Sequence, residues 1–145
     1  MAAESNEKLM LNWFQIQTLK SLQAQQRTGK AEKPLLLKTG ESAICKCFER
    51  ISGSKNADIV FELDTHRLVL NFESADGSLQ KFAMDEMSDG YKNTLSMIGD
   101  IAYRMAVLNP MLGDKVLEDT SGVVVIDEID LHLHPQWQQT IISDL

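Results

Sequence analysis

The residues best suited to chemistry are four apolar positions followed by two acids, Val123-Val124-Val125-Ile126-Asp127-Glu128. An uninterrupted β-branched run suits a strand buried on both faces of a parallel sheet, and open α/β sheets meet their ligands at the carboxyl ends of such strands. Two adjacent carboxylates at that edge are costly unless a cation or hydrogen-bond donors face them. A magnesium ion carrying a triphosphate is such a cation. Asp127 would hold it through water, and Glu128 would orient or deprotonate an attacking water. The plainer reading is a strand that ends in two solvated acids, and the short pattern fits both.

A second group adds context. Met87-Ser88-Asp89-Gly90-Tyr91-Lys92 stands directly before a long amphipathic stretch. Ser88 can cap that helix, and Gly90 lets a phosphate approach the N–H groups of its first turn. In isolation this reads as a plain N-cap. Placed about 35 residues before an apolar run ending in Asp-Glu, it reads better as the second half of a phosphate site.

The elements that must position these residues follow from periodicity. Leu9, Trp13, Ile16, Leu19 and Leu22 recur at helical spacing between about Glu7 and Gln26, with a Gln-rich solvated face. A polar connector from Arg27 to Lys33 ends at Pro34, and a second helix is expected from Leu35 to about Ile51. The period then changes. Ile59–Leu63, Arg67–Phe72 and Leu79–Met84 are short β-rich runs, separated by Asp64-Thr65-His66 and by a turn containing Asp76-Gly77. They predict an antiparallel three-stranded meander, with His66 a turn residue. A helix from Asp89 to Leu108 places Leu95, Ile98, Ile101, Ala102, Met105 and Leu108 on one face and stops at Asn109-Pro110. Gly122 leads into the Val123–Ile126 strand, and Pro135 opens a last helix from Gln136 to Leu145.

These motifs resemble one family. Met87 to Tyr91 is similar to the signature loop of ABC-type ATPases, and Val123 to Glu128 resembles their Walker B strand. The run from Asp127 to Gln138 looks like the Walker B and D-loop of one branch. That branch holds AAA-type ATP-binding proteins of the SMC/RecF-like and overcoming-lysogenization-defect kind, including predicted ATP-binding proteins involved in virulence and the ATPases of Septu-type and retron-linked antiphage systems. The resemblance is specific from about Met84 to Leu145 and looser over the meander and the first helix, which look like an insertion. It implies an α/β fold: a partial P-loop NTPase domain of ABC type, with an antiparallel meander and flanking helices. Residues 1–56 would form an insertion-like helical segment, and residues 57–145 the ATPase portion.

Carried over by position, Asp127 would be the magnesium-side acid and Glu128 the catalytic base. Ser88, Asp89 and Gly90 would lie against the γ-phosphate of an ATP held by an opposite subunit. Asp130, His132 and His134 would lie in a D-loop that crosses the dimer interface. Asp89 departs from the pattern, because many such loops carry glycine there and a carboxylate repels a γ-phosphate unless it turns away. Tyr91 replaces a glutamine-like position. His132 and His134 with the nearby acids imitate a zinc or manganese site, but no third ligand stands at a fixed spacing, so an incidental cluster is the plainer reading.

What is missing also counts. A phosphate-binding loop requires Gly-x-x-x-x-Gly-Lys-[Ser/Thr], whose backbone N–H groups and lysine cradle phosphates. Gly29-Lys30 is the one Gly-Lys pair, with Ala24 at the first glycine position and Ala31 at the hydroxyl position. The motif fails. The family's switch histidine would lie beyond Leu145, so the chain is expected to be a segment of a longer ATPase or a shortened reading frame. It would complement a partner's nucleotide site in trans, through self-association or a full-length ATPase, and the parent would use ATP and Mg²⁺ to gate an effector such as a nuclease. The alternative is a non-hydrolysing module that associates with a full-length ATPase.

Composition bounds the rest. The 145 residues, 43% hydrophobic and 24% charged, suit one globular domain. A net charge of −7 gives these residues no counterion-release advantage on nucleic acid, so nucleic-acid contact would come from parts outside this chain. Cys45 and Cys47, one residue apart, suit neither an ordinary disulfide nor a zinc knuckle and read as reduced thiols. No secretion signal or membrane span is expected, which implies the cytoplasm.

Overall fold

The computed structural model describes residues 2–127, with side chains from residue 7 onward. The element order is α1 (Ala2–Thr28), α2 (Leu35–Ser52), β1 (Lys55–Glu62), β2 (Arg67–Glu73), β3 (Leu79–Ala83), a 3₁₀ turn Met84–Glu86, α3 (Asp89–Leu108), a second 3₁₀ segment Pro110–Lys115 and the short α4 (Val116–Asp119). The expected C-terminal helix from Gln136 lies outside the described residues.

Local chemistry sets the boundaries. Gly29 and Gly53 end α1 and α2 in the left-handed conformation, at φ 68° and 70°, and each donates its N–H to the carbonyl four residues back, Gln25 and Glu49. α3 ends as expected at Asn109, whose backbone and side-chain nitrogens both donate to the Met105 carbonyl, at 3.0 and 3.1 Å. Leu108, its last residue, is 76% exposed, which corrects its expected place on the face of Leu95.

The meander forms one antiparallel sheet in the order β1-β2-β3. Ile59 pairs with Leu70 and Phe61 with Leu68, so these four side chains share the face that meets the helices. The β2–β3 turn takes Gly77 at φ 84°, and Asp76 Oδ1 accepts from the Ser78 N–H at 2.9 Å and its hydroxyl at 2.7 Å. His66 sits in the β1–β2 turn at φ 55°.

One core joins α1, α2, the sheet and α3: Phe14, Ile44, Phe48, Ile59, Leu70, Met84 and Leu95 are all in it. Fully burying side chains of this kind contributes about 1.5–3 kcal/mol each. The cysteines behave as the sequence implies, Cys45 half-buried and Cys47 buried, with no disulfide.

Two further expectations need correction. Of the apolar stripe expected on α1, Trp13 packs against the core, but Leu9 is 66% exposed and Ile16, Leu19 and Leu22 are 41–42% exposed, while Met10, Phe14 and Gln17 are buried. Glycines on the neighbouring helices let Trp13 and Met10 approach closely. A Cβ at Gly40 would stand 2.7 Å from the Trp13 ring, and one at Gly99 would stand 3.4 Å from the Met10 sulfur. The second correction concerns Val123–Ile126, which pairs with no strand among the described residues. Val123, Val124 and Val125 are 92%, 51% and 88% exposed. A central strand exists only when neighbours bond it on both sides, and neither edge strand of the meander, β1 or β3, pairs with this run.

Candidate functional site

The site residues fall into three groups. Ser88, Asp89 and Gly90 are described and contiguous at the start of α3. Asp127 is described and exposed, at the end of an irregular segment. Glu128, Asp130, His132 and His134 lie outside the described residues.

The start of α3 is held from three sides. Upstream, Arg67 at the head of β2 donates two nitrogens to Asp85, Nη2 at 2.7 Å and Nε at 3.0 Å, and Nη2 also reaches Glu86 at 3.2 Å. Glu86 Oε2 in turn accepts the Ala83 N–H at 3.1 Å. Each exposed ion pair contributes little alone, but together they fix the turn that aims the chain into Ser88. Downstream, Leu95 and Thr94 are fully buried, and the Thr94 hydroxyl donates to the Gly90 carbonyl at 2.8 Å. Laterally, the Tyr91 ring packs 5.9 Å from Phe48, and burial raises the Tyr91 hydroxyl above its ordinary pKa. Tyr91 is therefore an anchor of the helix start.

Ser88 occupies the N-cap position, as its place in the sequence suggests, but its side chain makes no capping hydrogen bond. It is exposed. Lys92 makes the first backbone bond of the helix, to the Ser88 carbonyl at 3.0 Å. Helix geometry leaves the N–H groups of Asp89 and Gly90 without an intrahelical acceptor. An exposed hydroxyl and first-turn N–H groups, with the positive end of the helix dipole behind them, suit an anionic oxygen.

The structure also addresses the misfit at Asp89. Its carboxylate is 91% exposed and lies 3.3 Å from the Lys92 ammonium, whose side chain is only 21% exposed. The negative charge is thus turned along the helix and partly neutralised. Sequence reasoning missed Lys92, although the i, i+3 spacing of opposite charges was there to be read. It also missed a groove of about 400 Å³ beside Ser88, walled by Phe48, Phe72, Phe82 and Tyr91.

The Asp127 end is built differently. Helix α3 carries the chain about 30 Å from Ser88, and the path continues through α4, where Val116 is buried. From Ser121 to Asp127 no residue is buried. Among the described residues no group of three His, Cys, Asp or Glu side chains is placed to hold a metal. Asp127 alone does not make a magnesium site. No helix among the described residues is long and apolar enough to cross a membrane.

The described residues thus combine an α/β arrangement with a helix start whose exposed hydroxyl and first-turn N–H groups suit an anion, and the sequence then runs through apolar residues into paired acids. Comparison with known proteins places the chain more closely. It belongs to the AAA family described as "AAA domain, putative AbiEii toxin, Type IV TA system", whose profile matches residues 23–145. It is 49% identical over 59 residues to "Retron Vc95 probable ATPase" of Vibrio cholerae serotype O1 biovar El Tor, which covers 41% of this chain and 11% of that protein. It is 52% identical over 60 residues to "Retron Ec83 probable ATPase" of Escherichia coli, again 41% of this chain and 11% of that protein. A "Septu protein PtuA" of Bacillus mycoides (strain KBAB4) is 39% identical over 62 residues, 43% of this chain and 8% of that protein. The matched stretch is therefore about a tenth of the length of these relatives.

Proposed function

We propose that this chain is the signature-loop and Walker B portion of an ABC-type ATPase of the retron and Septu branch. Ser88 and Gly90 contact the γ-phosphate of an ATP whose phosphate loop belongs to an opposite subunit. Asp127 serves as the magnesium-side acid, Glu128 as the base that activates water, and Asp130, His132 and His134 as D-loop residues at the subunit interface. Bound Mg²⁺ would supply charge neutralisation at the transferring phosphoryl group. ATP turnover then gates an effector, a nuclease being the natural class in antiphage defence. The observation that carries this reading is the start of α3, where an uncapped Ser88 stands exposed on a helix clamped to the core and the Asp89 charge is drawn off by Lys92.

One observation favours a second reading. Val123 and Val125 are nearly bare, so the stretch that should lie inside a parallel sheet awaits strands from elsewhere. On this reading the chain is a non-hydrolysing module that docks onto a full-length ATPase.

Calorimetry with Mg-ATP separates the two, run on this chain, on a full-length ATPase that contains this segment, and on their mixture. The first reading expects silence from this chain alone, with binding by the full-length protein and turnover lost on Glu128→Gln by a factor of about 10² or more. Full turnover by the Glu128→Gln protein would overturn the catalytic assignment. The second reading expects this chain to bind the full-length protein without changing its turnover.

A further inference from the structure

Two acids flank Ser88, and a base meets each of them. Asp89 on one side has the Lys92 ammonium at 3.3 Å. On the other side Glu86, which lines the same groove as Ser88, receives Arg67 Nη2 at 3.2 Å. The second base comes from the sheet, far along the chain from the helix it serves.

Register brings Arg67 there. β2 and β3 pair as far as Val69 with Ala83, and the same register places Arg67 across from Asp85. The backbone ladder has ended by that point, because Met84–Glu86 is a 3₁₀ turn. Side chains continue it. Arg67 Nη2 donates to Asp85 Oδ1 at 2.7 Å and Nε donates to Oδ2 at 3.0 Å, a side-on fork that a lysine cannot form. Glu62, the β1 partner of Arg67, is engaged elsewhere: it accepts from Lys81 Nζ at 2.9 Å and from the Thr65 hydroxyl at 3.0 Å. Arg67 is thereby left to the turn.

Glu86 closes that turn. While Oε1 receives Arg67, Oε2 accepts the Ala83 N–H at 3.1 Å, and the Met87 N–H donates to the Met84 carbonyl at 3.2 Å. Ser88 is the next residue. Ion pairs this exposed, with side chains 38% accessible for Arg67 and 53% for both acids, contribute little to folding. Their effect is on direction. Without Arg67 the adjacent Asp85 and Glu86 carboxylates repel one another, and Glu86 is free to turn along the groove towards Ser88. We infer that Arg67 is a positioning residue for the proposed phosphate site, holding Asp85 and Glu86 so that Ser88 and the first-turn N–H groups meet the γ-phosphate with no free carboxylate beside them. The inference rests on the reading of Ser88 given above. Arg67 acts through the turn and touches no reacting atom.

Kinetics of a full-length ATPase that contains this segment test the role. Arg67→Gln should lower kcat about tenfold, while the Kd for ATP, set by the opposite subunit's phosphate loop, stays within about twofold. The urea midpoint of the 145-residue chain should not move, because Arg67 is an exposed partner. Asp85→Ala should cause the same loss of turnover, and the two substitutions together no more than either alone, since both act through one fork. In the chain itself, Arg67→Gln should shift the backbone amide resonances of Ser88, Asp89 and Gly90. Unmoved resonances overturn the inference without any nucleotide present. Wild-type kcat in Arg67→Gln, losses that multiply in the double variant, or a fall in turnover matched by a fall in the urea midpoint overturn it as well. Glu128→Gln in the same protein separates the two levels. If that variant is inactive while Arg67→Gln turns over normally, the positioning role alone fails; if it keeps full turnover, the reading of the site fails and the role of Arg67 falls with it.

Discussion

The two ends of α3 are built on opposite terms. At the Ser88 end, the turn before the helix is fixed by Arg67, Asp85 and Glu86, and the first turns are pinned by Leu95, Thr94 and Tyr91. Beyond the other end, the run from Ser121 to Asp127 has the sequence of a buried strand and the environment of a loop. One motif is placed by contacts this chain supplies itself. The other finds no such contacts among the described residues. On the function proposed above, a site split across subunits would tolerate this asymmetry, because the loop that meets a phosphate must be preorganised, while a central strand is ordered by whatever sheet receives it.

Breaking the anchored end should have the largest effect. Leu95→Ala removes a fully buried side chain behind the signature-like loop and should cost about 3 kcal/mol, read as a drop in the urea midpoint without a change in slope. An unchanged midpoint would mean that α3 is not held by this core. A smaller effect sharpens the loop itself, measured as ATP turnover in a full-length protein carrying these residues. If Lys92 acts by neutralising Asp89, Lys92→Met should lower kcat/KM about tenfold alone and less than about twofold in an Asp89→Gly background. Equal losses in both backgrounds would show that Lys92 acts without Asp89.

The pH dependence of stability offers a finer probe of the anchored half. Glu41 on α2 has its pKa raised above 4.5, chiefly by burial, with the Lys33 ammonium at 2.8 Å opposing the shift. Because the folded state holds this proton to higher pH than the unfolded state does, the stabilising contribution is complete below pH 4.5 and is lost as pH rises through the raised pKa. Glu41→Gln should remove that decline, so the two unfolding curves diverge across this window and run parallel above it. Parallel curves throughout would mean Glu41 titrates alike in both states.

Much of this was legible in the sequence because it is local. The bounds of α3 follow from Ser88 and from Asn109-Pro110, and the meander from its β-rich runs and Asp76-Gly77. The packed face of α1 was not legible. Leu9, Trp13, Ile16, Leu19 and Leu22 make as good a stripe as Met10, Phe14 and Gln17, and only Trp13 of the first set packs, over Gly40, while Gly99 on α3 admits Met10. Strand formation at Val123–Ile126 was misjudged for the same reason, since a ladder depends on partners remote in sequence. At the site, the position of Ser88 was readable, but its uncapped hydroxyl and the Asp89–Lys92 pair required coordinates.

The smallest expected effect is the most informative about the second end. Val125→Asp puts a charge into a run that reads as the middle of a sheet. In this chain Val125 is 88% exposed, so the change should move stability by no more than about 0.5 kcal/mol. In a full-length protein that supplies the flanking strands, the same carboxylate would be buried without a partner, and ATP turnover and folding should both fail. A neutral result in the chain with failure in the longer protein locates the missing contacts outside these 145 residues. Destabilisation of the chain itself by more than about 1 kcal/mol would place Val125 in a packed environment, and the asymmetry between the two ends of α3 would disappear.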